Sequence, residues 1–187
     1  MGDQPTKRND FNLLHLSIIF AVLAIISAVV FPPSFNDSMY GRENARRATC
    51  LNNLKQLGLA LALYAGDNHG WYPVDSDSPT LAGSMRLLSN NLGVAKILTC
   101  PSDWRVTRGE FATLATNNIS YSYVPFLKND GNSNAIVMLD RIYSTKHGSK
   151  WPAMGNHRDY GGNILFGDGH VSFKGELPAD LPSVLSP

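Results

Sequence analysis

Charge is scarce in this chain of 187 residues: Asp, Glu, Lys and Arg make up 17% of it, sixteen basic against fifteen acidic, for a formal net charge of +1. Such a balance sets up no field to steer a polyanion, and no basic run is longer than Arg46-Arg47, so nucleic acid is excluded as a partner class. Cysteine is equally scarce. Only Cys50 and Cys100 occur, with no CxxC pair and no four-ligand zinc spacing, which leaves dithiol redox catalysis and a structural zinc finger without support. The G-x-S-x-G, P-loop, H-E-x-x-H and Rossmann glycine patterns are absent, as is any internal repeat. Gly 16 and Pro 11 are ordinary usage, which excludes a collagen-like chain, and 43% apolar residues exclude a disordered polyelectrolyte. One further absence is local: residues 11–31 contain no Asp, Glu, Lys or Arg.

That uncharged stretch, Phe11 to Phe31, is 21 residues long. As a helix rising about 1.5 Å per residue it reaches roughly 30 Å, the hydrocarbon thickness of a bilayer. It is apolar all round except for Asn12, His15, Ser17 and Ser27, whereas a core helix keeps a polar face. It ends in Phe31-Pro32-Pro33 rather than in the small residues of a signal-peptidase site, so the reading is a retained membrane anchor. Lys7 and Arg8 precede the span while Arg42, Arg46 and Arg47 follow it, so the positive-charge rule does not orient it. Both cysteines follow the span, and an even pair in a small domain favours a carboxy-terminal side outside the cytoplasm.

A second helix is expected from Met39 to Ala65, after candidate caps at Ser34, Asn36, Asp37 and Ser38 and with a bend near Pro32-Pro33. Cys50, Leu54, Leu57, Leu61 and Tyr64 fall on one stripe of it, while Arg46, Asn53, Lys55 and Gln56 lie away from that stripe; Leu51, Leu59 and Leu63 widen the apolar surface. Residues 66–79 read as a loop and Leu81–Leu92 as a short helix behind a Thr80 cap. Strands are expected at Lys96–Thr99, Ile119–Val124, Ala135–Asp140, Asn163–Phe166 and His170–Phe173, the last two joined by a two-residue turn at Asp168-Gly169. One long helix followed by a run of strands indicates an α+β fold, a helix covering a small antiparallel sheet. The expected organisation is a cytoplasmic segment 1–10, a transmembrane helix 11–31, an amphipathic helix 32–66 continuing it, a globular head 67–174 and an irregular tail 175–187. Cys50 and Cys100 could bridge, closing a loop of about fifty residues, or stay as buried thiols.

The order of these features resembles type IV pilin-like proteins. It comprises basic residues, Phe11, an apolar span ending in proline, Arg46-Arg47-Ala-Thr-Cys50-Leu-Asn-Asn-Leu-Lys-Gln-Leu-Gly-Leu-Ala60 and Tyr64-Ala-Gly-Asp-Asn-His-Gly-Trp-Tyr-Pro73. More narrowly, Cys100-Pro-Ser-Asp103, Ala135 to Arg141, Asn156-His157 and Gly162 to Val171 resemble the pseudopilin-like family named for an H-X9-DG motif, which assigns motif positions to Asp103, His157, Asp168 and Gly169. The resemblance implies a filament subunit processed between residues 10 and 11 and assembling through its first helix, where His15, Ala24 and Ala28 stand. Two positions depart from it: the family carries glycine where this chain has Asp10, before Phe11, and glutamate where it has His15. An acid at the cleavage position speaks against the usual processing, and an imidazole does not supply a carboxylate's charge within a membrane.

Chemistry beyond packing has little to build on. His157, Asp159, Asp168 and His170 crowd one stretch, but turn and strand roles account for them, so no catalytic residue and no cofactor is expected. Calcium, which some major pseudopilins hold in this domain, has candidate oxygen ligands at Asp75, Asp77, Asp103 and Asp168. Three functions suit these features: a pilin-like or pseudopilin subunit of a type IV pilus or type II secretion-like filament, a singly anchored periplasmic binding or adhesion module that does not polymerise, and an anchored hydrolase, the least supported. The expected partners are copies of the chain or other pilin-like subunits, an inner-membrane assembly platform and lipid. The expected location is the inner membrane, single-pass, with the head periplasmic or extracellular in a filament.

Overall fold

The computed structural model describes residues 13–30, 37–77, 79–142 and 150–187. By its internal contacts the chain divides into a unit spanning Met1–Gly41 and a second spanning Arg42–Pro187.

The first unit contains α1, Leu13–Val30, whose large side chains are exposed around the whole circumference, from Leu16 at 42% to Leu13 at 84%. Its two serines bond back into their own turn, Ser17 Oγ donating to the Leu14 carbonyl at 2.8 Å and Ser27 Oγ to that of Ala24 at 2.9 Å. Their hydroxyls therefore cost little in an apolar surrounding. Among the described residues no helix is long and apolar enough to cross a membrane. α1 holds 18 residues, about 27 Å of rise; Phe11, Asn12 and Phe31 of the expected span lie outside the described residues, as do segment 1–10 and the expected bend at Pro32-Pro33.

The second unit is α+β. Its long helix is α2, Asp37–Asp67, from Arg42 onward, and it ends where His69 and Gly70 take positive φ (56° and 84°) and the Gly70 amide donates to the Ala65 carbonyl at 2.8 Å. The Asn68 side chain caps the Tyr64 carbonyl at 2.8 Å, so the frayed carbonyls of the last turn are satisfied. The expected stripe is the buried one: Cys50, Leu54, Leu57 and Leu61 are fully buried and Tyr64 packs partly buried beside them, while Leu59 and Leu63 remain more than half exposed. Two short helices follow, α3 (Leu81–Arg86) and α4 (Ser89–Leu92), where one was expected. Thr80 caps α3 as read, its Oγ1 accepting from the Gly83 amide, and Leu87-Leu88 separates the two.

Four strands form an antiparallel meander: β1 (Tyr121–Tyr123), β2 (Ile136–Asp140), β3 (Gly162–Phe166) and β4 (Val171–Lys174). Met138 pairs with Leu165 and Leu139 with Ile164, so alternate residues serve opposite faces. Tyr121, Tyr123, Met138 and Leu165 join the α2 stripe in the main core; Leu139 and Ile164 join Ile136, Ile142, Trp151 and Leu177 in a second one. With both faces covered, β2 reads as an unbroken apolar run, Ile-Val-Met-Leu. α2 lies close on the sheet at Gly58, where a β-carbon would stand 2.8 Å from Leu165 Cδ1.

Two expectations are corrected, and the tail proves irregular but packed. Lys96–Thr99 is no strand: Ala95–Leu98 is a 3-10 turn, and Leu98 serves the sheet end only by accepting from the Ser120 amide at 2.8 Å. The β3–β4 connection is four residues, Gly167 to His170, closed by Gly169 donating to the Phe166 carbonyl at 2.9 Å and Phe166 donating to the His170 carbonyl at 3.0 Å; only Gly169 has positive φ (86°), as in a turn with a glycine bulge. The tail beyond residue 175 lacks helix and named strand but is not loose. Leu185 exchanges backbone hydrogen bonds of 2.7 and 2.9 Å with Tyr123, and Leu177, Leu181 and Val184 cover the second core.

Candidate functional site

Of the residues that the resemblance gives an assembly role, His15, Ala24 and Ala28 all lie on α1, exposed, with the two alanines one turn apart on one side. Asp10 and Phe11 lie outside the described residues.

Of the motif residues of the head, Asp103 and His157 stand in a buried polar knot. Cys50 of α2 is bridged to Cys100, with 5.0 Å between their Cα atoms, so the bridged alternative holds. Beside the bridge the Asn53 amide donates to the Thr99 carbonyl at 3.0 Å. His157, on the loop before β3, places Nδ1 2.9 Å from Glu43 Oε1 on α2 and Nε2 3.9 Å from Cys100 Sγ. A carboxylate only accepts, so Nδ1 donates to Glu43, while Nε2 faces inward, toward the bridge, the Asn163 side-chain amide 3.4 Å away and Asp140 Oδ2 3.4 Å away. Ser102 Oγ donates to Glu43 at 3.0 Å rather than to the imidazole, so serine, acid and histidine are not arranged for the histidine to take the serine's proton. Phe173 meets the His157 ring edge-on at 6.2 Å, and the Arg47 guanidinium stacks over Phe173 and Tyr160.

Two buried carboxylates complete the knot. Asp140, at the end of β2, accepts from the Asn163 amide at 2.6 Å, from Asn163 Nδ2 at 2.9 Å and from Asn156 Nδ2 at 2.8 Å, while Asn156 also donates to the Ser120 carbonyl. Burial lifts the Asp140 carboxyl above the usual carboxylate range, against the opposing pull of His157 and these three hydrogen bonds. Asp103 sits between Arg105 at 2.8 Å and Arg141 at 3.2 Å. Burial lowers the Arg141 guanidinium from its ordinary value, with Asp103 opposing, and Arg141 also donates to the Ile119 carbonyl.

The calcium candidates do not share a place. Asp103 is committed to its two arginines, Asp168 accepts from the amide and ring of its neighbour His170, and Asp75 accepts from the Asp77 amide at 3.3 Å. Asp168, on the surface, is held below the usual carboxylate range by the backbone and ring nitrogens of His170. Among the described residues the one His, Cys, Asp and Glu group tight enough to hold a metal ion is Cys50, Cys100 and His157. Asp168 and Gly169 thus form a turn remote in role from the knot. Ten residues, 158–167, separate His157 from Asp168, one more than the motif's nine, and Arg158 takes a positive φ of 58° in that stretch. Residue-by-residue reading missed Glu43, Asp140, Asn156 and Asn163 as partners. The available signal was an acid closing an apolar strand at Asp140, which a buried strand end tolerates only with donors around it.

The family model described as "Protein of unknown function (DUF1559)" matches residues 39–86, from the start of α2 through α3. That family is associated with prepilin-like and pseudopilin-like proteins, so the match is consistent with a pilin-like protein. It includes Glu43 and Cys50 and stops short of Cys100, Asp103, His157 and Asp168. No curated protein and no solved structure matches the chain.

Proposed function

We propose that the chain is a pilin-like structural subunit of a type IV pilus or type II secretion-like filament, held in the inner membrane by its first helix and assembling through it with copies of itself or with other pilin-like subunits. The observation that carries this reading is α1: eighteen residues whose large apolar side chains are exposed on every side need either lipid or other helices around them. With Phe11, Asn12 and Phe31 added, the stretch reaches bilayer thickness. The head then lies outside the cytoplasm, where the Cys50–Cys100 bridge persists. The knot holds the head rigid, and the function resides in packing, with no reaction catalysed and no cofactor required. A second reading, a singly anchored binding or adhesion module that does not polymerise, is favoured by Asp10 and His15, which depart from the family at its processing and pairing positions.

Envelope preparations analysed by intact mass and by native size separate the two. A polymer whose growth is obstructed by Ala24→Phe or Ala28→Phe supports the subunit reading, because small residues let apolar helices approach. Monomers alone, with residues 1–10 attached, overturn it in favour of the anchored module. A polymer that retains residues 1–10 keeps assembly and rejects cleavage before Phe11.

A further inference from the structure

We propose that the dithiol form of the head is a metal-binding form, in which Cys50, Cys100 and His157 Nε2 hold one soft divalent ion, zinc by preference. The site is built from three elements, α2, the segment after the 3-10 turn and the loop before β3, and its three ligand atoms already lie within 4.8 Å of one another in a fully buried place. Tetrahedral zinc with Zn–S near 2.3 Å sets its ligand atoms about 3.5–3.8 Å apart. Nε2 stands 3.9 Å from Cys100 Sγ as it is. With 5.0 Å between their Cα atoms, the two sulfurs reach such a spacing by side-chain rotation once unbridged.

The second observation is the far side of the imidazole. Glu43 Oε1 accepts from Nδ1 at 2.9 Å, which leaves Nε2 of the neutral ring as the ligand atom, the arrangement in which a carboxylate orients and strengthens a metal-bound histidine. Charge agrees too: two thiolates, a neutral imidazole and a divalent cation sum to zero, which a buried place accepts. Sulfur and imidazole select zinc over calcium, whose ligands are oxygens. Asp140 Oδ2, 3.4 Å from Nε2, lies outside the three-atom group, so the described residues supply three ligands. The ion would join α2 to the chain after residue 99 in place of the bridge, wherever the head meets a reducing environment. This inference stands independently of filament assembly.

The test uses the full chain in detergent, without oxygen. A water-soluble phosphine reduces the bridge: its phosphorus becomes the phosphine oxide with oxygen from one water, and that water's two protons end on the two thiols. After its removal, Co(II) is titrated in, each bound ion displacing two thiol protons. The expected result is one cobalt per chain with the visible and near-ultraviolet bands of tetrahedral cobalt thiolate, bleached by Zn(II). The bridged chain and the Cys50→Ser/Cys100→Ser variant should give no such bands. His157→Gln should weaken binding at least tenfold, and Glu43→Gln, a change at a partly exposed residue, by about 10–100-fold. If reduction unfolds the head, Co(II) should restore its far-ultraviolet circular dichroism. The proposal is overturned if the reduced chain gives no thiolate bands, if the bridged chain binds equally well, if both His157→Gln and Glu43→Gln bind as the parent does, or if a reduced, unfolded chain takes up cobalt without refolding.

Discussion

His157 Nδ1 and Glu43 Oε1, 114 positions apart in the chain, stand 2.9 Å from each other and tie the loop before β3 to the start of the second unit's helix. The same carboxylate accepts from Ser102 Oγ at 3.0 Å, so one side chain holds two loops. Charge-assisted bonds of this kind contribute about 1.5–3 kcal/mol when buried, and partial exposure of Glu43 reduces that. Glu43→Ala should therefore lower the unfolding free energy by about 1–2 kcal/mol in urea titrations of the bridged protein. A change under a few tenths would show that the pair is not coupled to folding.

Asp103 presents the opposite case, an acid with no solvent to fall back on. Its carboxylate lies between Arg105 and Arg141, and Arg141 is itself buried. Removing one partner of a buried pair leaves the other charge uncompensated, typically at about 3–5 kcal/mol. Asp103→Ala should fall in that range by chemical denaturation, while Asp103→Ala/Arg141→Met should recover part of the loss. If the double variant is as unstable as the sum of the singles, the two are not a pair.

Much of this architecture was legible in the sequence because it rests on periodicity. The stripe Cys50, Leu54, Leu57, Leu61 has helix spacing and is the buried face; the apolar run closing in Asp140 is the central strand; Thr80 caps α3. What failed was local and short. Lys96–Thr99 has strand-like residues, yet the segment tightens into a 3-10 turn that buries Ala95 and Leu98. The tail has three prolines and no period, so nothing in it announced that Leu177 would close a core and Leu185 pair with Tyr123. The knot was half legible. Resemblance singled out Asp103 and His157, but Glu43 reads as one more surface charge on a helix until folding brings the loop of His157 onto it.

Gly162 marks how tightly β3 meets the second core. A β-carbon there would stand 2.3–2.7 Å from three atoms of the Trp151 ring, a rigid group packed between the sheet and the tail. Gly162→Ala should cost about 1–3 kcal/mol through overpacking, although alanine suits an extended backbone. The loss should shrink in Gly162→Ala/Trp151→Leu, measured by thermal unfolding against Trp151→Leu alone. An unchanged loss would locate the strain elsewhere.

Asp140 should make stability fall with rising pH, the reverse of the usual behaviour of a paired carboxylate. Its folded carboxyl is raised above the ordinary value, chiefly by burial, with His157, Asn163 and Asn156 pulling the other way. Between the ordinary carboxylate value near 3.9 and the raised one, the folded chain keeps a proton that the unfolded chain has released. The unfolded state then binds fewer protons, so the unfolding free energy declines as pH rises through that window and levels off above it. Asp168, held low on the surface by His170, contributes in the opposite sense as pH falls, so absolute curves mix the two. The difference between Asp140→Asn and the parent isolates the effect, since asparagine imitates the neutral acid and its altered hydrogen bonds add only a constant. That difference should grow in favour of the variant from about pH 4 upward and then flatten, in urea titrations taken at successive pH values. Repeating it in a His157→Gln background should enlarge the growth, because the pull of His157 that favours the Asp140 carboxylate is gone. A flat difference, or one that grows as pH falls, would mean that the hydrogen bonds from Asn156 and Asn163 outweigh burial.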